Sequence, residues 1–108
     1  MFQEITANSI KIVDGSGRMR ALLEYSDFAK TTILEMFDDE GLGCLQLTVE
    51  DGGQSAIRIM GRDGGNLVEV FAYGAPRHGI VISGLSGEAA IVQVVHPDGK
   101  GQFEVFDK

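Results

Sequence analysis

The chain has 108 residues, 44% of them hydrophobic and 23% charged, and a net charge of −7. This length supports one domain, residues 1–108, that buries roughly 60–65% of its unfolded surface on folding. The negative balance argues against nucleic acid or anionic lipid as partners, and no apolar run approaches the roughly 18 residues needed to span a bilayer.

The first residues, MFQEITANSIKI, have no basic n-region and no long apolar h-region, which predicts no signal peptide and a cytoplasmic location. From there on, short apolar stretches alternate with Gly- and Asp-rich turns about every 12 residues. They predict strands at 9–13, 18–25, 32–37, 43–49, 55–60, 66–72, 79–83, 89–95 and 102–106. The period inside them is two: Leu45, Leu47 and Val49 alternate with Cys44, Gln46 and Thr48. The nearest helix candidate is DFAKTTILEMF, where the Thr-Thr-Ile cluster favours a strand instead. Cys44 is the single cysteine, so no intrachain disulfide forms; its position predicts a small buried apolar residue in a strand.

A longer period overlies the short one. Gly17, Gly41, Gly64 and Gly87 are separated by 24, 23 and 23 residues. Ile10, Leu34, Ile57 and Ile80 each stand seven residues earlier. Phe103 and Val105 open a fifth unit. A fixed period of about 23 residues marks repeated supersecondary units, each a strand, turn, strand, turn. The predicted fold is all-β, an antiparallel meander closed as a sandwich or barrel. The rival is a small parallel β-solenoid, which would need corners where this chain has hairpin-like Gly/Asp turns.

The first unit holds Val13, Asp14, Gly17, Arg20, Ala21 and Leu23. This V-D-x-x-G-x-x-R-A-x-L phrase resembles a repeat in bacterial and phage-associated β-repeat proteins of unassigned function. The later units keep the apolar slots and the glycine but lose Arg-Ala. The resemblance implies β-structure, assembly and no catalytic residue. A repeat protein this short also looks like an orphan of environmental or mobile (integron) gene cassette DNA.

One strand face is apolar throughout and is expected to be the core. The other begins polar, with Lys11, Arg18, Arg20 and Glu24. Later it becomes apolar, with Met60, Leu67, Phe71 and Val81, then Val92, Val94 and Phe106. A strand apolar on both faces is covered on both. These residues are therefore expected to form the interface of a homo-oligomer of two to four chains, and any further partner would be another protein. A closed sandwich in which both faces are partly internal is the alternative.

Motifs for chemistry are sparse. GLSG (84–87) lacks the spacing of a nucleophile elbow, so Ser86 reads as a turn serine. Gly15 and Gly17 have Arg20 where a dinucleotide loop needs its third glycine. His78 and His96 fit no zinc pattern, and Asp38, Asp39 and Glu40 lack the spacing of a calcium loop. No enzymatic activity, metal or cofactor is expected. The fourth unit departs most from the pattern, through YGAPRHG and through Gln93 in an apolar slot. If a small-molecule pocket exists, near residues 73–79 or between subunits, its candidates are Tyr73, Arg77, His78 and Gln93. The expected function is a structural or interaction module, with small-molecule binding as the alternative.

Overall fold

Alternating apolar and polar residues, rich in Ile, Val and Thr, suit a pleated surface, and nine strands form. A computed structural model describes residues 3–62, 65–73, 77–84 and 88–106. The strands are Ser9–Val13 (β1), Met19–Ser26 (β2), Thr31–Phe37 (β3), Gly43–Glu50 (β4), Ser55–Met60 (β5), Asn66–Tyr73 (β6), Arg77–Ser83 (β7), Ala89–Val95 (β8) and Gly101–Val105 (β9). No helix occurs among the described residues. The largest departure from expectation is β7, which starts two residues early because Arg77 pairs with Tyr73 across the hairpin.

All strands lie in one sheet in chain order, and every neighbouring pair is antiparallel. The meander expectation holds; the solenoid alternative does not, since it needs parallel neighbours. Closure into a sandwich or barrel is also absent among the described residues: the sheet is a single open layer, with β1 and β9 at its edges. Eight steps of about 20–25° accumulate roughly 160–200° of twist. A ribbon turning about its long axis accounts for the extents of 46 × 31 × 31 Å.

The repeat is written into the turns at one end of the sheet. Asp14 N–H donates to Arg18 O (2.9 Å) and Gly17 N–H to Asp14 O (3.0 Å); Asp38, Leu42 and Gly41 reproduce this at 2.9 and 3.2 Å. The same closing bond recurs from Gly61 to Gly65 and from Gly84 to Glu88. Register shifts follow the same period, at Ile12/Val13, Met36/Phe37, Ile59/Met60 and Ile82/Ser83. At 14–17 and 38–41 this is a type I turn ended by a left-handed residue, and the register shift beside it comes from one extra residue in the next strand, Arg20 in β2 and Cys44 in β4. Gly17 and Gly41 hold that position at φ +89° and +85°. Gly64 and Gly87 lie outside the described residues. Gly41→Ala is expected to cost about 1–2 kcal/mol, since a side chain disfavours this region. Gly15→Ala, with nothing within 4 Å of its added Cβ, should change little. Urea midpoints of the two variants check this.

The register sorts every strand residue onto one of two faces. On the first face, one row runs Ile12, Ala21, Met36, Leu45, Ile59, Val68, Ile82, Ile91, Val105. A second runs Ile10, Leu23, Leu34, Leu47, Ile57, Val70, Ile80, Gln93, Phe103. A third runs from Tyr25 through Thr32, Val49, Ser55, Ala72, His78 and Val95 to Gly101. The opposite face carries the strand charges, including Lys11, Glu35, Arg58, Glu69 and Glu104.

On the face that was expected to meet partners, the chain buries a local cluster across β5 to β8. Ala56, Phe71 and Val94 are buried there, with Val81 and Val92 packed against them. Phe71 sits between small residues, Ala56 on β5 and Gly79 on β7, which give its ring room, and it stacks on Tyr73 with ring centroids 4.6 Å apart. Phe71, Val81, Val92 and Val94 therefore belong to this chain's own small core. Met60 and Leu67 are half-buried, and Phe106 is exposed beyond β9. Gly79 is required: a Cβ there would run into the backbone of Gln93 and come within 2.9 Å of Val94 Cα. Cys44 is half-buried in β4, with Sγ 3.5 Å from the Leu42 carbonyl oxygen.

Candidate interaction surface

Period-two alternation puts every Asp, Glu, Lys and Arg of the strands off the first face. Its three rows contain none of these residues. Yet, apart from the small Ala21 buried between Ile12 and Met36, that face is open: Ile59 is 47% exposed, Val49 53% and Phe103 66%. Isolated exposed apolar residues are ordinary, but a contiguous apolar patch of several hundred Å² marks a binding surface. Nine strands span about 40 Å and five residue positions about 17 Å. The face therefore offers on the order of 700 Å², close to what one partner contributes to a standard interface.

The four predicted pocket residues do not converge. Tyr73 and Arg77 pair with each other on the charged face, in line with Phe71. The Tyr73 hydroxyl donates to Glu69 Oε1 (3.2 Å). Partial burial, then the Glu69 carboxylate, raises its pKa above the usual tyrosine value. His78 and Gln93 lie on the apolar face, where they line a cavity of about 320 Å³ with Val70, Ile80 and Val95. Residues 74–76 of the expected pocket lie outside the described residues, as does Ser86.

On the charged face several polar side chains are engaged with one another. Arg58 Nε bonds Glu69 Oε2 (2.7 Å), and its Nη1 donates to Gln46 Oε1 (3.3 Å) and Thr48 Oγ1 (3.2 Å). His96 Nε2 lies 2.7 Å from Gln102 Oε1. The acidic turn at 38–40, which lacks the spacing of a calcium loop, has a structural task. Arg18 Nη1 donates to Asp39 O (2.6 Å), Arg20 Nε to Phe37 O (3.4 Å), and Arg62 approaches Asp38 and Glu40 at 3.7 and 3.3 Å. Three successive turns at this end of the sheet are thus strapped together by arginines, of which sequence reasoning reads Arg18 and Arg20 only as the polar start of this face. The Arg20 of the repeat phrase was the available signal.

The aspartates cap the turns. Asp14 Oδ1 accepts from Ser16 Oγ (2.6 Å), Ser16 N–H (2.9 Å) and Arg18 N–H (3.1 Å); Asp38 Oδ1 accepts from Glu40 and Leu42 N–H. The Ser16 hydroxyl and amide hold the Asp14 carboxyl at a pKa of about 2, and the Leu42 and Glu40 amides lower that of Asp38. A carboxylate with a depressed folded pKa contributes stability above its unfolded pKa of about 3.9 and loses it as pH falls towards the folded value. Stability is therefore expected to decline between about pH 4 and 2. Asp14→Ala should flatten part of that decline, as read from urea midpoints against pH.

No protein-family model matches this sequence, and no curated protein is significantly similar to it.

Proposed function

We propose that this protein is a structural, self-assembling β-repeat module, without catalytic chemistry of its own, whose apolar face is covered by further copies of the same chain. The observation behind it is the pair of rows on the first face, unbroken by charge across nine strands and left open by the chain itself. Among the described residues the buried cluster is Ala56, Phe71 and Val94, which is small for a chain of this length. Packing two such faces together would bury at most on the order of 1,400 Å², the upper bound for an untwisted face and within the range of stable interfaces; the ribbon's twist gives each partner a part of that area. Light scattering at micromolar concentration tests it. Masses of two to four times 11.6 kDa are expected, and a single-chain mass overturns the reading.

A second reading, a small-molecule site, rests on one observation: Gln93 is the sole polar residue in its row and shares a cavity with His78. It predicts loss of ligand binding in Gln93→Ala at unchanged stability.

A further inference from the structure

The two edges of the sheet are not alike. Between β8 and β9, Phe106 N–H donates to Ala90 O (2.7 Å) and His96 N–H to Lys100 O (2.9 Å). Bonded and non-bonded pairs alternate along an antiparallel ladder. Val92/Glu104 and Val94/Gln102 are therefore the bonded pairs, and Gly101, Phe103 and Val105 turn their N–H and C=O groups to the open edge. The same count on β1, starting from Tyr25 N–H to Asn8 O (3.3 Å), turns out Ser9, Lys11 and Val13.

We propose that β9 is a two-fold pairing edge, to which a second copy of this chain adds its own β9 antiparallel, Phe103 opposite the partner's Phe103. This deepens the self-assembly reading but uses a different surface. In this register Gly101 faces the partner's Val105, so all three outward residues of each copy enter bonded pairs. Gln102 faces the partner's Glu104, an amide beside a carboxylate, and no like charges meet. The two aromatic rings meet across the axis. Centring the pair on Glu104 instead sets carboxylate against carboxylate and, within β9, leaves only two bonded pairs. The axis stands perpendicular to the sheet, so both apolar faces lie on one side and the row ending in Phe103 continues into the partner.

The other pairings are poorer. Nine strands is an odd number, so β1 and β9 run in the same direction. Continuing β9 onto another copy's β1 with the apolar faces on one side would make the one parallel pair in an antiparallel sheet, and turning that copy over to make the pair antiparallel would set its charged face beside this apolar one. A β1–β1 pairing that engages all three outward residues sets Lys11 against the partner's Lys11. An edge lysine is also a usual guard against such pairing. At the β9 edge nothing of the kind stands among the outward residues, and Phe103 and Val105 are 66% and 62% exposed.

The test is register-specific cross-linking of the full chain in a Cys44→Ser background. Bonded antiparallel pairs place Cα atoms about 5.5 Å apart with Cβ atoms about as far, wide of a direct disulfide but within reach of a short thiol-reactive linker. Phe103→Cys should give a covalent dimer with such a linker, at least tenfold faster than Val105→Cys or Lys11→Cys. No dimer, or equal rates at 103 and 105, overturns the proposal. A measurement on the native chain guards against a folding defect in the variant. The amides of Gly101, Phe103 and Val105 should exchange with deuterium at least tenfold more slowly at high than at low protein concentration; concentration-independent fast exchange overturns it. Repeating the cross-linking in Ile59→Glu separates the two surfaces. Cross-linking should persist there whether or not the face contact survives, and its loss in a folded Ile59→Glu chain overturns an independent edge.

Discussion

Ile59→Glu is expected to leave each chain folded and to reduce the assembly to smaller species. Ile59 stands mid-sheet on the apolar face, between Leu45 and Val68, and is 47% exposed in the single chain. A glutamate there reaches water as long as the face is open, so the chain itself loses little. Once a second copy covers the face, the carboxylate is buried with no cation in the three rows to meet it. An unpaired buried charge costs several kcal/mol. At about 1.4 kcal/mol per tenfold, a cost near 3 kcal/mol raises the dissociation constant on the order of 100-fold. Light scattering over a dilution series reads this directly, and far-UV circular dichroism should remain that of a β-sheet. An unchanged mass would show that the face is not the contact. Arg18→Glu, at the edge of the turn end, should leave the mass as it was.

Phe71→Ala is expected to do the reverse, destabilising the chain before any question of assembly arises. Phe71 is 6% exposed and is by far the largest side chain in the buried cluster. Truncating a buried phenylalanine costs about 3–5 kcal/mol, against a total of about 5–15 kcal/mol for an ordinary domain. Val92→Glu should act the same way, because Val92 packs against that cluster and its charge would sit over Phe71 and Val94. Urea unfolding at several protein concentrations distinguishes the cases. Phe71→Ala and Val92→Glu should lower the midpoint at every concentration, whereas Ile59→Glu should mainly remove its concentration dependence. A loss below about 1 kcal/mol for Phe71→Ala would mean that the charged face is not the chain's own core.

Local physics placed the strands. Period-two alternation, β-branched residues and recurrent Gly/Asp turns located all nine to within two residues, including β3, where Thr31 to Phe37 resisted a helical reading. The V-D-x-x-G phrase also specified its own turn, because a capping aspartate and a left-handed glycine three residues later act within one loop. Alternation likewise divided apolar from charged residues, but it gives two faces without saying which one the chain covers. That choice depends on neighbours 15 and 8 residues away in sequence, Ala56 and Gly79, which flank Phe71 only once the register is set. The same dependence split the candidate pocket. Tyr73 with Arg77, and His78 with Gln93, were close in sequence or pattern, but the hairpin register of β6 and β7 put them on opposite faces. Closure of the sheet was equally undetermined by the sequence, because it depends on twist accumulated over eight strand pairs, a property of the whole ribbon and of no single residue.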